Sequence, residues 1–371
     1  MSSAVSPAAS TAAASTAAAS EPAPGQPPTP LPAAIIGSLS PSRAADFKSC
    51  PLLYRFRSID RLPEPPSRAA TRGTVVHAAL EALYDLPAAR RTEATARELI
   101  TPAWERVLAE EPAVADLFGR EETDGAGEAD APGQAQTNRA GTSVDQMSLD
   151  QMSLGEWLES ARGLIGNYFR LEDPSRLQPA AREQLVEVVL DGLRLRGYID
   201  RIDVSPAGDV RVVDYKTGST PREAFEAKAL FQMKFYALVI WRTRGVVARQ
   251  LKLIYLADTD TLSYAPTAEE LERFESTLKA IWAAIAKASV SGDFRPNPSK
   301  LCGWCDHQAI CPAFGGTPPP FPYDALLRSD SDRRTSHTLG APADGTGPSS
   351  VQQNLAHENL AQQNLVGVAG R

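Results

Sequence analysis

Three strands in a row, with ionisable groups planted along the last two, constrain this chain more than any other feature of its sequence. Over residues 183–190, Glu183, Leu185 and Glu187 alternate with Gln184, Val186, Val188 and Leu190, the period of a strand. Asp191-Gly192 follows, a dipeptide suited to the left-handed positions of a tight hairpin turn. Residues 193–199 read as the returning strand. A Ser205-Pro-Ala-Gly-Asp209 turn then leads into a third strand over 210–215. Helical spacing is evident before the strands over 71–86 and 154–171. After them come a long amphipathic helix over 221–241, a fourth strand over 250–256 and a helix over 268–287. That order predicts an α/β (α+β) core, a mixed central sheet flanked by helices.

The chain has 371 residues, but the folded part is shorter. Residues 1–38 are mostly Ala, Ser, Thr and Pro with one charged side chain, Glu21. Such a segment buries too little apolar surface to offset its ordering entropy and is expected to be disordered. The same holds for 119–153, an insertion ending in a tandem Asp-Gln-Met-Ser-Leu repeat, and for the tail 315–371. Two structured blocks remain, 39–118 and 154–314. No run of 18 apolar residues is present, so no membrane-spanning helix is expected. No Lys or Arg precedes Arg43, so a secretory leader is not expected. Four clustered cysteines are too few for a disulfide scaffold, which predicts a reduced, cytoplasmic setting. A net charge of −7 argues against a non-specific nucleic-acid coat but leaves room for a local basic groove.

Asp200 ends the second strand, in Gly197-Tyr-Ile-Asp200, and Asp214 and Lys216 stand two apart in the third. Residues i and i+2 of a strand share a face. Two carboxylates converging on one point repel unless a cation lies between them. Mg²⁺ suits such a place, since it takes oxygen ligands and is often held by one or two carboxylates plus substrate phosphates. A neighbouring ammonium can stabilise charge developing on a phosphorus centre. The Asp-x-Lys triplet alone is weak; its place in an apolar strand, with Val210, Val212 and Val213, demands a reason for polar groups there.

Gly197-Tyr-Ile-Asp200-Arg-Ile-Asp203 followed by Val213-Asp214-Tyr-Lys216-Thr-Gly218 resembles the core of the PD-(D/E)XK nuclease superfamily, and more closely its RecB-family exonuclease branch. Arg72-Gly-Thr-Val-Val-His77 resembles that branch's Gly-x-x-x-His helix, and Gln232-Met-Lys-Phe-Tyr236 its Gln-x-x-x-Tyr helix. The resemblance spans about 39–314 and implies a restriction-endonuclease-like fold and hydrolysis of DNA phosphodiester bonds with Mg²⁺ or Mn²⁺. It makes His77, Asp200 and Asp214 the metal ligands and Lys216 the catalytic lysine. Gln232 and Tyr236, one helical turn apart, would brace the site or the strand. Glu183 stands where the family often carries an acidic residue, with Glu187 a competitor that spacing does not separate from it. Asp203 is expected to be a hydrogen-bonding residue without a family role.

Cys302, Cys305 and Cys311 lie close together and Cys50 far upstream. Four thiolates can hold Zn²⁺ or an iron–sulfur cluster, and spacing alone does not choose. The split, one before the core and three after it, resembles the 4Fe–4S staple of AddB-type nucleases and of the CRISPR adaptation exonucleases. That resemblance implies a cluster joining the N- and C-terminal segments.

Seven basic residues from Arg43 to Arg72, among them Arg55, Arg57 and Arg72, face three acidic ones. With Tyr54 and Phe56 they suit backbone contacts and base stacking on single-stranded DNA. No Gly-x-x-x-x-Gly-Lys-[Ser/Thr] phosphate loop is present, so unwinding would need a separate helicase. The expected activity is that of an exonuclease on single-stranded ends in DNA repair or recombination. The alternative is a non-catalytic iron–sulfur or zinc module that binds DNA or scaffolds an assembly. The complete His, Asp, Asp, Lys set argues against that alternative.

Overall fold

The computed structural model describes residues 37–119, 149–220 and 223–322, with side chains from 229 onward in the last stretch. The segments 1–38, 119–153 and 315–371, expected to be disordered, lie almost wholly outside the described residues. At their described margins the chain packs. Leu149 is buried, and Phe321 stacks on Phe294 with ring centroids 5.7 Å apart.

Five strands form one sheet in the order β1-β2-β3-β4-β5: β1 Ala181–Leu190, β2 Leu193–Val204, β3 Val210–Lys216, β4 Gln250–Tyr255 and β5 Asp260–Tyr264. All neighbours are antiparallel except β3 and β4. The β1–β2 turn uses Asp191 at φ 50° and Gly192 at φ 83°, as the Asp-Gly pair predicts. Two findings differ from expectation. Strand β2 continues to Val204, so Asp200 lies inside it rather than at its end. Strand β5, Asp-Thr-Leu-Ser-Tyr, was not anticipated, because its polar residues carry little alternation. It forms by pairing along β4.

Helices cover both faces. On one lie α1 (Pro41–Ser49), α7 (Glu223–Arg244) and α8 (Ala268–Ser291), around a core that takes Val210 and Val212 from β3. The short α2 (Pro51–Tyr54) follows α1 directly. On the other face lie α3 (Arg68–Leu83), α4 (Glu93–Glu98), α5 (Ile100–Glu110) and α6 (Leu154–Leu171), around a core that takes Val213 and Tyr215. Burial on both faces explains why β3 reads as a nearly continuous apolar run. Sharp starts for α6 and α8 come from capping boxes, Ser153 with Glu156 and Thr267 with Glu270. Among the described residues no helix is long and apolar enough to cross a membrane.

The sheet opens where β2 meets β3. Their ladder runs only from Val204↔Val210 to Arg201↔Val213. Farther along, β2 accepts a different neighbour: Leu39 forms a parallel bridge with Leu195, through Leu39 N–H to Arg194 O at 2.8 Å and Arg196 N–H to Leu39 O at 3.0 Å. The candidate site occupies this opening.

Candidate active site

Strict alternation would place Glu183 and Asp200 by parity alone, but both strands break parity there. Along β2, Leu193, Leu195 and Ile199 enter the α7-side core, and so does Ile202, an odd step later. Along β1, Val186 and Val188 face that core, and so does Ala181. The breaks lie opposite each other, between the pairs Arg182↔Arg201 and Gln184↔Ile199. At the break Glu183 adopts φ 40°, a left-handed conformation uncommon for a residue with a side chain. Such local strain persists only where the surroundings enforce it.

On the hairpin side of the break, both carboxylates face away from the α7-side core and toward His77 on α3. His77 Nδ1 lies 3.6 Å from Asp200 Oδ2 and 3.8 Å from Glu183 Oε1. The opening of the sheet leaves the Tyr215 backbone without a β2 partner. Asp200 Oδ2 accepts its N–H at 2.7 Å, and His77 Nε2 lies 3.0 Å from its carbonyl oxygen. A carbonyl only accepts, so Nε2 carries the proton and Nδ1 faces the carboxylates. Tyr215 is itself held from behind. Its hydroxyl accepts from Arg201 Nη1 at 2.6 Å, and Arg201 is gripped by Glu172 at 2.8 Å and by the Tyr84 hydroxyl at 3.1 Å. Lys252 adds a 2.7 Å ion pair to Glu172. No role for Arg201 was anticipated from the sequence. The signal was an arginine beside core positions of a strand, which requires partners when buried.

On α7, Gln232 ties the other half together. Its Oε1 accepts from Lys216 Nζ at 3.0 Å; its Nε2 donates to Asp214 Oδ1 at 3.0 Å and to Tyr236 Oη at 3.2 Å. Only this amide orientation satisfies the ammonium and the carboxylate together. Lys216 Nζ also lies 2.7 Å from Asp214 Oδ2. Gln232 therefore spaces the Asp-x-Lys pair, and Tyr236 backs Gln232. Tyr236 in turn packs on Gly197, where a Cβ would approach Tyr236 Cε1 to 2.8 Å.

The site is short of positive charge. Burial raises Asp214 to about 6, against the pull of Lys216. Burial likewise raises Asp200. Burial disfavours the His77 imidazolium, yet the Asp200 and Glu183 charges lift it to about 9. Glu183 Oε2 is buried with no hydrogen-bond partner among the described residues. Orphaned carboxylate oxygens beside an imidazole nitrogen suit a divalent cation. Among the described residues His77, Glu183 and Asp200 form the one set of three or more ligand-type residues able to share an ion. The ligands expected from sequence were His77, Asp200 and Asp214. Glu183 converges with His77 and Asp200, while Asp214 is engaged by Lys216 and Gln232. Glu187 pairs instead with Arg194 at 3.1 Å on the surface, and Asp203 pairs with Arg201 and Arg211.

Two of the three arginines expected to contact DNA are engaged by carboxylates of their own stretch. Arg55 is buried against Asp60 at 2.9 Å, and Arg57 is held by Asp46 at 2.9 Å and Glu64 at 2.7 Å. Tyr54 and Phe56 are 1% and 2% exposed, so neither offers a ring for base stacking. Arg72 leans on α6, its Nη1 3.4 Å from Ser160 Oγ. The four cysteines do not close to single-ion distance. They are free thiols that all line one cavity of about 90 Å³. Backbone N–H groups point at two of the sulfurs, Asn297 to Cys50 at 3.4 Å and Ser299 to Cys302 at 3.3 Å. His307, inside the cysteine segment, bonds Glu64 at 2.8 Å.

Residues 38–312 match the family profile of the PD-(D/E)XK nuclease superfamily. The Gene 69 protein of Mycobacterium phage L5 is 34% identical over 134 residues, 34% of this chain and 42% of that protein. The Gene 69 protein of Mycobacterium phage D29 is 34% identical over 140 residues, 36% of this chain and 48% of that protein. The chain therefore spans less than half the length of these curated relatives. A crystal structure described as a "putative exonuclease" from Eubacterium rectale covers 79% of this chain and 94% of its own, at 13% identity and a TM-score of 0.48.

Proposed function

Because this chain belongs to the PD-(D/E)XK nuclease superfamily, we propose that it is a divalent-metal-dependent nuclease that hydrolyses DNA phosphodiester bonds at the β2–β3 opening. The observation that carries this reading is the convergence of His77 Nδ1, Glu183 and Asp200 on one point beside the Asp214–Lys216–Gln232 network. His77, Glu183 and Asp200 would hold the cation, with Asp214 beside them, engaged by Lys216 and Gln232. Bound Mg²⁺ or Mn²⁺ supplies Lewis-acid polarisation of the phosphoryl group and activation of water. Lys216 places its ammonium where negative charge grows in the transition state. Gln232 fixes how far that ammonium stands from Asp214, and Tyr236 keeps Gln232 from swinging away. The Tyr215 backbone, clamped by Asp200 and His77, keeps the two halves of the site in register.

The finer reading is exonuclease action on single-stranded ends in DNA repair or recombination. It rests on the resemblance of the motifs to the RecB-family branch and on the lack of a phosphate loop, which leaves unwinding to a separate helicase. The four cysteines are read as ligands of a 4Fe–4S cluster, with zinc as the alternative, on the resemblance of their split spacing to the AddB-type staple. All four thiols line one cavity, and N–H contacts to sulfur are a known means of tuning clusters.

The test uses full-length protein purified without oxygen, with Mg²⁺ or Mn²⁺, on end-labelled linear single-stranded, linear double-stranded and circular single-stranded DNA. The expectation is degradation of linear single strands, none of circles, and a loss of roughly 10²- to 10³-fold in Lys216→Ala. Cleavage of circles removes the exonuclease reading. No cleavage of any substrate, or a fully active Lys216→Ala, removes the nuclease reading. Iron and zinc content, with visible absorbance, decides the cysteine site.

A further inference from the structure

A second pocket lies beside the site, on the outer side of β2. It has a volume of about 70 Å³ and lies between β2 and the start of α1, lined by Ser38, Ser40, Arg43, Ser58, Arg196 and Tyr198 among others. Its chemistry is one-sided. Arginine, serine and tyrosine all present donors to it. The carboxylate on its wall, Asp46, is already bound by Arg57 at 2.9 Å. Ser40 caps α1, accepting the Arg43 N–H at 3.2 Å, so the positive end of that helix dipole faces the same place.

Two groups in it lack partners. Tyr198 is 7% exposed, and its hydroxyl is buried with no hydrogen-bond partner among the described residues. Arg196 Nε is in the same condition. Buried polar groups are normally satisfied, and each exception calls for a missing partner. Arg43 is held at the rim by its Nη1, which donates to Ser38 O at 2.9 Å and lies 3.3 Å from Ser38 Oγ. Two buried donors without an acceptor, Arg196 Nε and the Tyr198 hydroxyl, beside a helix N-terminus, select an anion.

The location says which anion. Tyr198 stands two residues before Asp200 on β2, about 7 Å of strand. Gly197, between them and Arg196, packs directly on Tyr236. Pocket and site therefore share a wall. Resting on the nuclease reading above, we propose that this pocket binds a phosphate group of the nucleic-acid strand, next to the phosphate that is cleaved. The groups that hold it are Arg196, the Tyr198 hydroxyl and Arg43, with the α1 N-terminus behind them.

The experiment measures binding of a fluorescein-labelled single-stranded oligonucleotide to the full chain in Ca²⁺, by anisotropy across a salt series. Wild type, Arg196→Gln and Tyr198→Phe are compared on 5′-phosphate, 5′-hydroxyl and 3′-phosphate forms, with inorganic phosphate as competitor. Arg196→Gln is expected to weaken binding roughly tenfold and to reduce the slope of log Kd against log salt by about one. Tyr198→Phe removes a hydroxyl that is unpaired without ligand, so its melting temperature should hold or rise while binding weakens. A loss equal on all forms identifies an internal phosphodiester; a loss confined to one phosphorylated end identifies a terminal phosphate. Either supports the pocket. Wild-type Kd and slope in both variants overturn it while leaving the nuclease reading standing. If wild type binds no DNA, both fall together.

Discussion

His77 Nε2 lies 3.0 Å from the carbonyl oxygen of Tyr215, and that contact leaves Nδ1 pointing at Glu183 and Asp200. Without a cation those carboxylates, working against burial, raise His77 to about 9. At pH 7 the imidazole then holds a proton on Nδ1 that a metal must displace. Mn²⁺ titration by calorimetry in buffers of different ionisation enthalpy should show release approaching one proton. His77→Ala should lose that release and weaken Mn²⁺ roughly tenfold or more. Binding that ignores the buffer would remove His77 from the ligand set.

Glu183 and Glu187 are equivalent by strand parity but not in space. Glu183→Gln should weaken Mn²⁺ binding and slow cleavage roughly 10- to 100-fold. Glu187→Gln loses only a surface pair with Arg194, worth about 1 kcal/mol at most, and should cleave at the wild-type rate. Single-turnover rates at matched metal saturation compare them. The reverse ranking would show that the twist at Glu183 does not aim it into the site.

Gly197→Ala tests the support behind Gln232. Its new Cβ would meet Tyr236 Cε1 at 2.8 Å, closer than carbon atoms pack, and Tyr236 Oη accepts from Gln232. The variant should lose about 1–3 kcal/mol of stability and cleave more slowly as Gln232 shifts. Urea unfolding and rate, measured on one preparation, check both. Unchanged values in each would mean that Tyr236 moves aside without consequence.

Acid sensitivity should trace to Glu64. Burial opposes its charge, but hydrogen bonds from His307 and Arg57 bring it from 4.5 down to about 2. A carboxylate depressed in the folded state contributes stability that is present above 4.5 and is lost as pH falls toward 2. Glu64→Gln should therefore lose about 3 kcal/mol at pH 7 and flatten the stability profile between about 4.5 and 2. Denaturant midpoints from pH 7 to pH 3 provide the comparison; parallel profiles would refute the assignment. Because His307 sits among the cysteines, the same variant should also loosen the cluster proposed for them.

Local information was enough for much of this. Period-two alternation, the Asp191-Gly192 turn, and helical spacing on either side placed four strands, the main helices and a mixed sheet. The i, i+2 rule put Asp214 and Lys216 on one face, and the one-turn spacing of Gln232 and Tyr236 let them act together. These are properties of neighbours along the chain, set by backbone geometry. Alternation from Val186 and from Ile199 already turns Glu183 and Asp200 away from the α7-side core, but it gave no sign of the paired break just beyond them, with φ 40° at Glu183, which needs both strands to form. The three acidic residues of the Arg43–Arg72 stretch were visible in the sequence, but counting charges did not show that they would pair with Arg55 and Arg57 or that Tyr54 and Phe56 would be buried. Which way each of those charges turns depends on how the stretch folds back on itself and packs against the core, and that was decided by tertiary packing.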